Sequence, residues 1–293
     1  MIVIKDSQRI NELITEALAI DVEQAKEAGA LGYYTKILIQ ATLPHRKPKE
    51  NYFERVNGYL TLRITDIQGL GLPFGSYPRL LMSYLCTEAV KTKSPEIILG
   101  NNLSSFMNEL GLSPTGGRTG TITRLREQAE KLFSCAISCQ YKDSEQTSGK
   151  NILIADEFTL WHKKDNPDQT TLFKSNVILS QKFFEEIINS PVVFHLTALK
   201  ALKQSPLAID MYLWSTHRNS YIQKPTHIPW QSLQLQFGAG YPFTSQGKAD
   251  FKKMFLNTLK KVSVVYPEVN KLRDEGKSLL FIPGKPHIPK ISE

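Results

Sequence analysis

Apolar residues recur along this chain at two spacings, and each switch between them marks a predicted element. Residues 8–30 place Ile10, Leu13, Ile14 and Ala17 at helical intervals and predict a first helix. LPHRKPKENYFERVNG (43–58) is basic and broken by proline, and reads as a linker. YLTLRIT then alternates Leu60, Leu62 and Ile64 with Thr61, Arg63 and Thr65, the pattern of a half-buried strand. GLGLPFGSYP (69–78) is a turn. Its glycines do not form GxGxxG, and Pro73 and Pro78 fit a plain loop better than a phosphate cradle.

A helix is predicted from Tyr77 to Lys93, with Leu80, Leu81, Tyr84, Leu85 and Ala89 on one face, followed by the short apolar piece EIIL. NNLSSFMNELGL gives a compact helix capped by Asn101 or Asn102 and ended at Gly111, with Leu103, Phe106, Met107 and Leu110 inward. After the turn SPTGG, a longer helix runs from about Arg118 to Ala136 on a stripe of Ile122, Leu125, Ala129 and Leu132. AISCQYKD and NILIADEFTLW then read as two strands joined by a polar loop. Helix, helix, turn, helix and hairpin is the order of a winged helix. A strand (SNVILS) and a helix (QKFFEEIIN, stopped at Ser190-Pro191) close this half.

The second half repeats the plan. PRLLMSYL (78–85) and PLAIDMYL (206–213) share their proline and final Tyr-Leu at an offset of 128. Leu110-Gly111 precedes Leu132 by the same 22 positions that separate Phe237-Gly238 from Leu259. Helices follow at 206–219, 229–237 and 246–263, with the turn GAGYPFTS before the last, and strand-like runs around VSVVYP and KSLLFIP. The expected fold class is α+β: tandem winged-helix domains, each a helix-turn-helix with a β-hairpin wing. The expected division is an N-terminal helical arm and linker (1–50), winged-helix domain 1 (51–195) and winged-helix domain 2 (196–293).

Length agrees with more than one domain, since 293 residues exceed the usual single core. No run approaches a membrane span and no basic, then apolar, leader opens the chain, so a soluble cytoplasmic protein is expected. Cys86, Cys135 and Cys139 lack CxxC spacing and read as small core residues. Net charge is +8, and residues 251–293, with nine bases and four acids, hold +5 of it. A basic excess so localised suggests a polyanionic partner.

In a helix-turn-helix the second helix enters the major groove, so its exposed side chains are the candidate contacts. On the first such helix Thr121, Arg124, Gln128 and Lys131 form a polar stripe, preceded by Thr115, Gly116, Gly117, Arg118 and Thr119. Glycines admit close backbone approach, and Arg118 can fork onto a guanine or a phosphate. Glu127 and Glu130 dilute the field, and an ordinary amphipathic helix accounts for the same stripe. The second such helix is more basic. Ser245 is its expected cap, Phe251, Phe255 and Leu259 face inward, and Lys248, Lys252, Lys253, Lys260 and Lys261 project elsewhere, opposed only by Asp250. Gln246 and Asn257 can read adenine edges. Lys271, Arg273 and Lys277 fall in the expected wing and can meet a neighbouring phosphate.

Enzymatic readings find little footing. The histidines at 45, 162, 195, 217, 227 and 287 show neither HxxxH nor HExxH spacing, and GxxxxGK[ST] and GxSxG do not occur. A non-enzymatic protein without metal or other cofactor is expected. An enzyme acting on DNA ends would need a ligand cluster that the spacing does not offer.

From residue 70 the chain reads LGLPFGSYPRLLMSYLCTEAVKTKSPEIILGNNLSSFMNELGLSPTGGRTGTITRLREQAEKLF. This stretch resembles the plasmid-encoded RepA replication initiators, most specifically in its FM-ELGL-PTGGR-GTI-RLR block, and more loosely to about residue 285. Thr119, where an aromatic is common, and Lys131, in place of arginine, depart from the pattern. The resemblance implies a protein that binds repeated sequences (iterons) of double-stranded plasmid origin DNA, helps open it, and recruits the host replicative helicase and initiator proteins. It implies a monomer–dimer equilibrium, and it puts the PTGGRTGT block with Arg124 and Arg126 on a DNA or dimer surface. The 246–263 helix would be the main iteron reader. A winged-helix repressor acting on its own promoter would need the same groove contacts.

Overall fold

The computed structural model describes residues 29–100, 102–142, 144–161 and 175–288. The helix expected over 8–30 lies outside these residues but for its last two. The chain divides into two compact units, residues 33–191 and residues 1–32 with 192–293.

β1 (Leu31–Thr35) spans the division at residue 32, and within the 33–191 unit α1 (Lys36–Gln40) leads to β2 (Tyr52–Asn57) and β3 (Leu60–Asp66). The expected linker thus contains a strand, paired antiparallel to β3 from Tyr52↔Thr65 to Asn57↔Leu60. The segment before it is anchored as well. The buried Arg79 guanidinium donates to the carbonyls of Leu43 (2.6 Å), Pro44 (3.2 Å) and Gly75 (2.7 Å). The glycine turn after β3 folds around the Asp66 carboxylate, which accepts the N–H groups of Gln68, Gly69, Leu70 and Gly71.

Next come α2 (Ser76–Thr92), β4 (Glu96–Ile98), α3 (Leu103–Glu109) and α4 (Thr121–Phe133). The Asn102 side chain caps α3 by accepting from Ser105 N–H at 2.8 Å. The predicted stripe on α4 is buried, with Ile122, Leu125, Ala129 and Leu132 packed beneath α2. α4 begins three residues later than its periodicity suggests, because 115–120 form a folded turn instead.

β5 (Cys135–Lys142) and β6 (Thr147–Leu153) make the expected hairpin, but it is no wing on α4. It extends β2 and β3 into a four-stranded antiparallel sheet, in the order β2-β3-β5-β6. The run NILIADEFTLW breaks at the buried Ile154, and its second half, β7 (Ala155–Thr159), joins another sheet. There β8 (Asn176–Leu179) pairs with β7 on one side and β4 on the other, giving the order β4-β8-β7. α5 (Gln181–Asn189), capped by Ser180, closes the unit. Cys86, Cys135 and Cys139 are free and buried, and burial pushes the Cys135 thiol up to about 12 and that of Cys139 to about 11.

The other unit contains β9 (Pro191–His195), α6 (Leu196–Ala201), α7 (Pro206–Asn219), β10 (Thr226–Pro229), α8 (Trp230–Phe237) and α9 (Ser245–Val265). A 3₁₀ turn (Pro267–Lys271), β11 (Arg273–Asp274) and β12 (Ser278–Phe281) follow. α7 is buried nearly all round, from Leu207 through Thr216, so it forms the unit's centre. VSVVYP, expected as a strand, instead ends α9 at Val265, with Tyr266 as its C-cap and Pro267 opening the 3₁₀ turn. Val262, Val265 and Tyr266 are needed in the core, and that burial overrides β-propensity. The strand order is β10-β12-β11. Helix, strand, helix, helix and hairpin, with the third strand central, is the same arrangement as α2, β4, α3, α4, β7 and β8.

Candidate nucleic-acid interface

The orientation of α9 follows from its aromatics. Phe251 and Phe255 are fully buried among Trp214, Trp230 and Phe237, with ring centroids 5.5 to 6.4 Å apart. Each contributes roughly 2–3 kcal/mol of burial, which fixes the helix's rotation. The opposite face therefore meets solvent: Gln246, Lys248, Asp250, Lys253, Met254, Asn257, Lys260 and Lys261 are exposed. Gln246, Lys253, Asn257 and Lys260 form one stripe at helical spacing, and Gln246 Nε2 donates to Asp250 Oδ1 at 3.0 Å. Four exposed lysines against one aspartate make this face strongly cationic.

Lys252 is separate from that face. Its ammonium bridges Asp274 (2.8 Å), donates to the Gly276 carbonyl (3.0 Å) and lies over the Trp230 ring, tying α9 to the β11–β12 hairpin. Burial works the other way, yet the hydrogen bonds from Lys252, Gly276 N–H and Trp230 together hold the Asp274 carboxyl below its usual range. Lys271, at the end of the 3₁₀ turn, is likewise engaged, by Glu268 at 2.6 Å. Arg273 on β11 and Lys277 in the hairpin turn are exposed beside Asp274 and Glu275. The helix is capped by Thr244, whose hydroxyl accepts Gly247 N–H at 3.1 Å; Ser245, the expected cap, is its first residue and is exposed.

The turn before α9 is rigid. Gln234, buried, donates to the carbonyls of Tyr241 and Pro242, and Gly238 N–H returns to Gln234 at 2.7 Å. Gly247 packs so tightly that an added Cβ would come 2.1 Å from the Pro242 carbonyl. Gly120, the residue just before α4, is similarly confined: a Cβ there would lie 2.3 Å from the carbonyls of Thr115 and Gly116. Both positions demand glycine because the obstruction is backbone.

The PTGGRTGT block is locked in a comparable way. Thr115 and Thr121 exchange hydrogen bonds, Thr115 N–H to Thr121 Oγ1 at 2.8 Å and Thr121 N–H to Thr115 Oγ1 at 3.0 Å. Thr121 Oγ1 also donates to Ser113 O, and Thr123 Oγ1 to Gly117 O. These threonines hold the loop's shape, while Gly116, Gly117, Arg118, Thr119 and Arg124 are exposed. Lys131 is half-buried, over the Phe74 ring. Gln128 is not on this surface. It is buried, and its Oε1 accepts Phe74 N–H at 2.7 Å, across 54 residues. Gln128→Ala would leave that N–H unsatisfied, so a stability loss of about 1–3 kcal/mol is expected by urea titration, with DNA affinity of the folded protein unchanged.

Sequence reasoning passed over Phe243, which is exposed in the turn before α9; an aromatic inside the polar turn GAGYPFTS was the available signal. No group of three or more potential metal ligands is found among the described residues, and none of their helices is long and apolar enough to cross a membrane.

The geometry defines a mixed α/β protein of two units, each presenting the outer face of a long helix behind a glycine-braced turn. Two solved structures share that fold. A selenomethionine form of RctB domains 2 and 3 aligns over 86% of this chain and 97% of its own, at 10% identity and a TM-score of 0.53. A second structure of RctB domains 2–3 aligns over 82% and 84%, at 11% identity and a TM-score of 0.50. No curated protein sequence matches. The model of the plasmid-encoded RepA protein family matches residues 72–231, more than half of the chain, and the chain belongs to that family of replication initiators.

Proposed function

We propose that this RepA-family protein is a non-enzymatic, sequence-specific initiator that binds repeated origin sequences of plasmid DNA in the cytoplasm and promotes opening and helicase loading there. The observation that carries this reading is the cationic outer face of α9, oriented by Phe251 and Phe255 and braced by the turn before it. Each unit is read as a winged helix, a reading supported by the strand order shared by β4-β8-β7 and β10-β12-β11. In this reading α9 lies in the major groove. Lys248, Lys253, Lys260 and Lys261 meet phosphates, while Gln246 and Asn257 read base edges. The β11–β12 hairpin, held by Lys252, offers Arg273 and Lys277 to an adjacent phosphate. The first unit presents Arg118 and Arg124 to DNA or to a second copy, consistent with a monomer–dimer equilibrium.

Footprinting on the DNA that flanks this gene tests the proposal. Protection of direct repeats, weakening steeply with salt, is the expected result. Protection of a single inverted repeat would instead make the protein a repressor of its own promoter. Binding that did not change with salt would remove the lysine face from the mechanism.

A further inference from the structure

Phe243 is 63% exposed, as exposed as any large apolar side chain among the described residues, yet it occupies a rigid place. It directly precedes the cap Thr244 and follows Tyr241-Pro242, whose two carbonyls are held by Gln234. Its neighbour Tyr241 turns inward onto Phe251, with centroids 5.8 Å apart, and joins the cluster of Trp214, Trp230, Phe237 and Phe255. Phe243 makes no ring contact among the described residues. An aromatic outside the buried core thus stands at the start of the lysine-bearing face of α9.

Such a position has a defined chemistry if α9 occupies the major groove. The one apolar group displayed there is the C5-methyl of thymine, and phenylalanine is among the side chains that pack on it. The lysines along the same helix attract the phosphates that would bring that methyl within reach, so charge complementarity selects a nucleic-acid duplex as the occupant. We propose that Phe243 is a specificity-determining residue that reads thymine methyls at one end of the site bound by α9, beside the base edges reached by Gln246. This rests on the DNA-binding reading above. Covering a methyl group on a preformed aromatic surface, with no ordering of the loop, favours thymine over a methyl-free base by roughly threefold to fivefold per contact.

Deoxyuridine scanning isolates this contact, because uracil keeps the pairing edge and the charge of thymine and lacks only the methyl. The probe is the tightest duplex that the full-length protein selects from a randomised pool, with each thymine replaced in turn and binding followed by fluorescence anisotropy. At one or two adjacent positions wild type should lose threefold to fivefold in affinity. Phe243→Ala should bind thymine and deoxyuridine duplexes equally at those positions, near the level of wild type on deoxyuridine, and Phe243→Leu should retain part of the preference. Circular dichroism of both variants should match wild type, since the side chain is 63% exposed and makes no ring contact among the described residues. A flat scan on a duplex bound in a salt-dependent manner would overturn the role of Phe243 and leave the DNA-binding reading intact. So would discrimination that persisted in Phe243→Ala. Selection of no duplex at all would overturn both.

Discussion

Replacing Lys253 and Lys260 together by alanine should weaken binding to origin repeats and to unrelated duplex by a similar factor, roughly a hundredfold at low salt, taking about tenfold for each lysine–phosphate pair removed. Both side chains are exposed on the outer face of α9, 7 positions apart on one stripe. Neither ammonium has a hydrogen bond or ion pair among the described residues, so nothing in the fold depends on their charge. Each lysine that meets a phosphate releases a counterion, and the slope of log K against log salt should become shallower by about 0.9 per lysine, or about 1.8 for the pair. Lys252→Ala provides the contrast. That ammonium is occupied by Asp274, the Gly276 carbonyl and Trp230, so its loss should lower stability and loosen the hairpin while changing the salt slope little. Anisotropy titrations between low and moderate salt measure both quantities. An unchanged slope in the double variant would mean that α9 does not track the backbone.

The contrast between these lysines also shows where the sequence was legible and where it was not. Helical stripes were readable because each element's own residues enforce them. Leu80, Leu81, Leu85 and Ala89, then Ile122, Leu125, Ala129 and Leu132, and Phe251 and Phe255 are all buried as their spacing implies. Partner choice was not readable, because it depends on residues far away in the chain. NILIADEFTLW has strand propensity throughout, and nothing local states that Leu153 pairs with Ala136 in one sheet while Ala155 pairs with Leu179 in another. β2 was missed for a related reason. It is an edge strand carrying Glu54 and Arg55, with no clean apolar alternation, and it is defined by its pairing to β3. Among site residues the same division holds. Exposure of Lys253 and Lys260 follows from the helical wheel. The inward role of Gln128 is set by Phe74 N–H, a demand that comes from 54 residues away.

Acidification from pH 7.5 to 5 should destabilise the 192–288 portion by about 2 kcal/mol, through His287. Its ring is packed between Tyr266 (5.1 Å, stacked) and His195 (5.3 Å, stacked), and Nδ1 is 2.7 Å from the Tyr212 hydroxyl. Tyr212 Oη accepts the backbone N–H of His195, and a neutral His287 ring with Nδ1 unprotonated gives the Tyr212 proton an acceptor. Burial, and secondarily the neighbouring His195, push His287 down to about 4. Burial lowers His195 as well. Above the ordinary histidine value of about 6.5 both states of the chain carry a neutral ring, and His287 leaves stability independent of pH. Between that value and about 4 the unfolded chain binds a proton that the folded chain refuses, so stability falls as pH falls. The Glu268 and Asp274 carboxyls, held low by their partners, lose their contributions only at more acid pH. The consequence is local. His287 N–H donates to Thr216, Gly284 N–H to Asn219 Oδ1, and Tyr266 joins Asn219 to the Lys285 carbonyl, so this network fastens residues 284–287 along α7. Amide hydrogen exchange in α7, corrected for intrinsic rates, should therefore quicken about thirtyfold between pH 7.5 and 5. In His287→Gln, which keeps an acceptor for Tyr212 but cannot titrate, that increase should shrink by more than half. An equal increase in both proteins would assign the acid sensitivity to other groups.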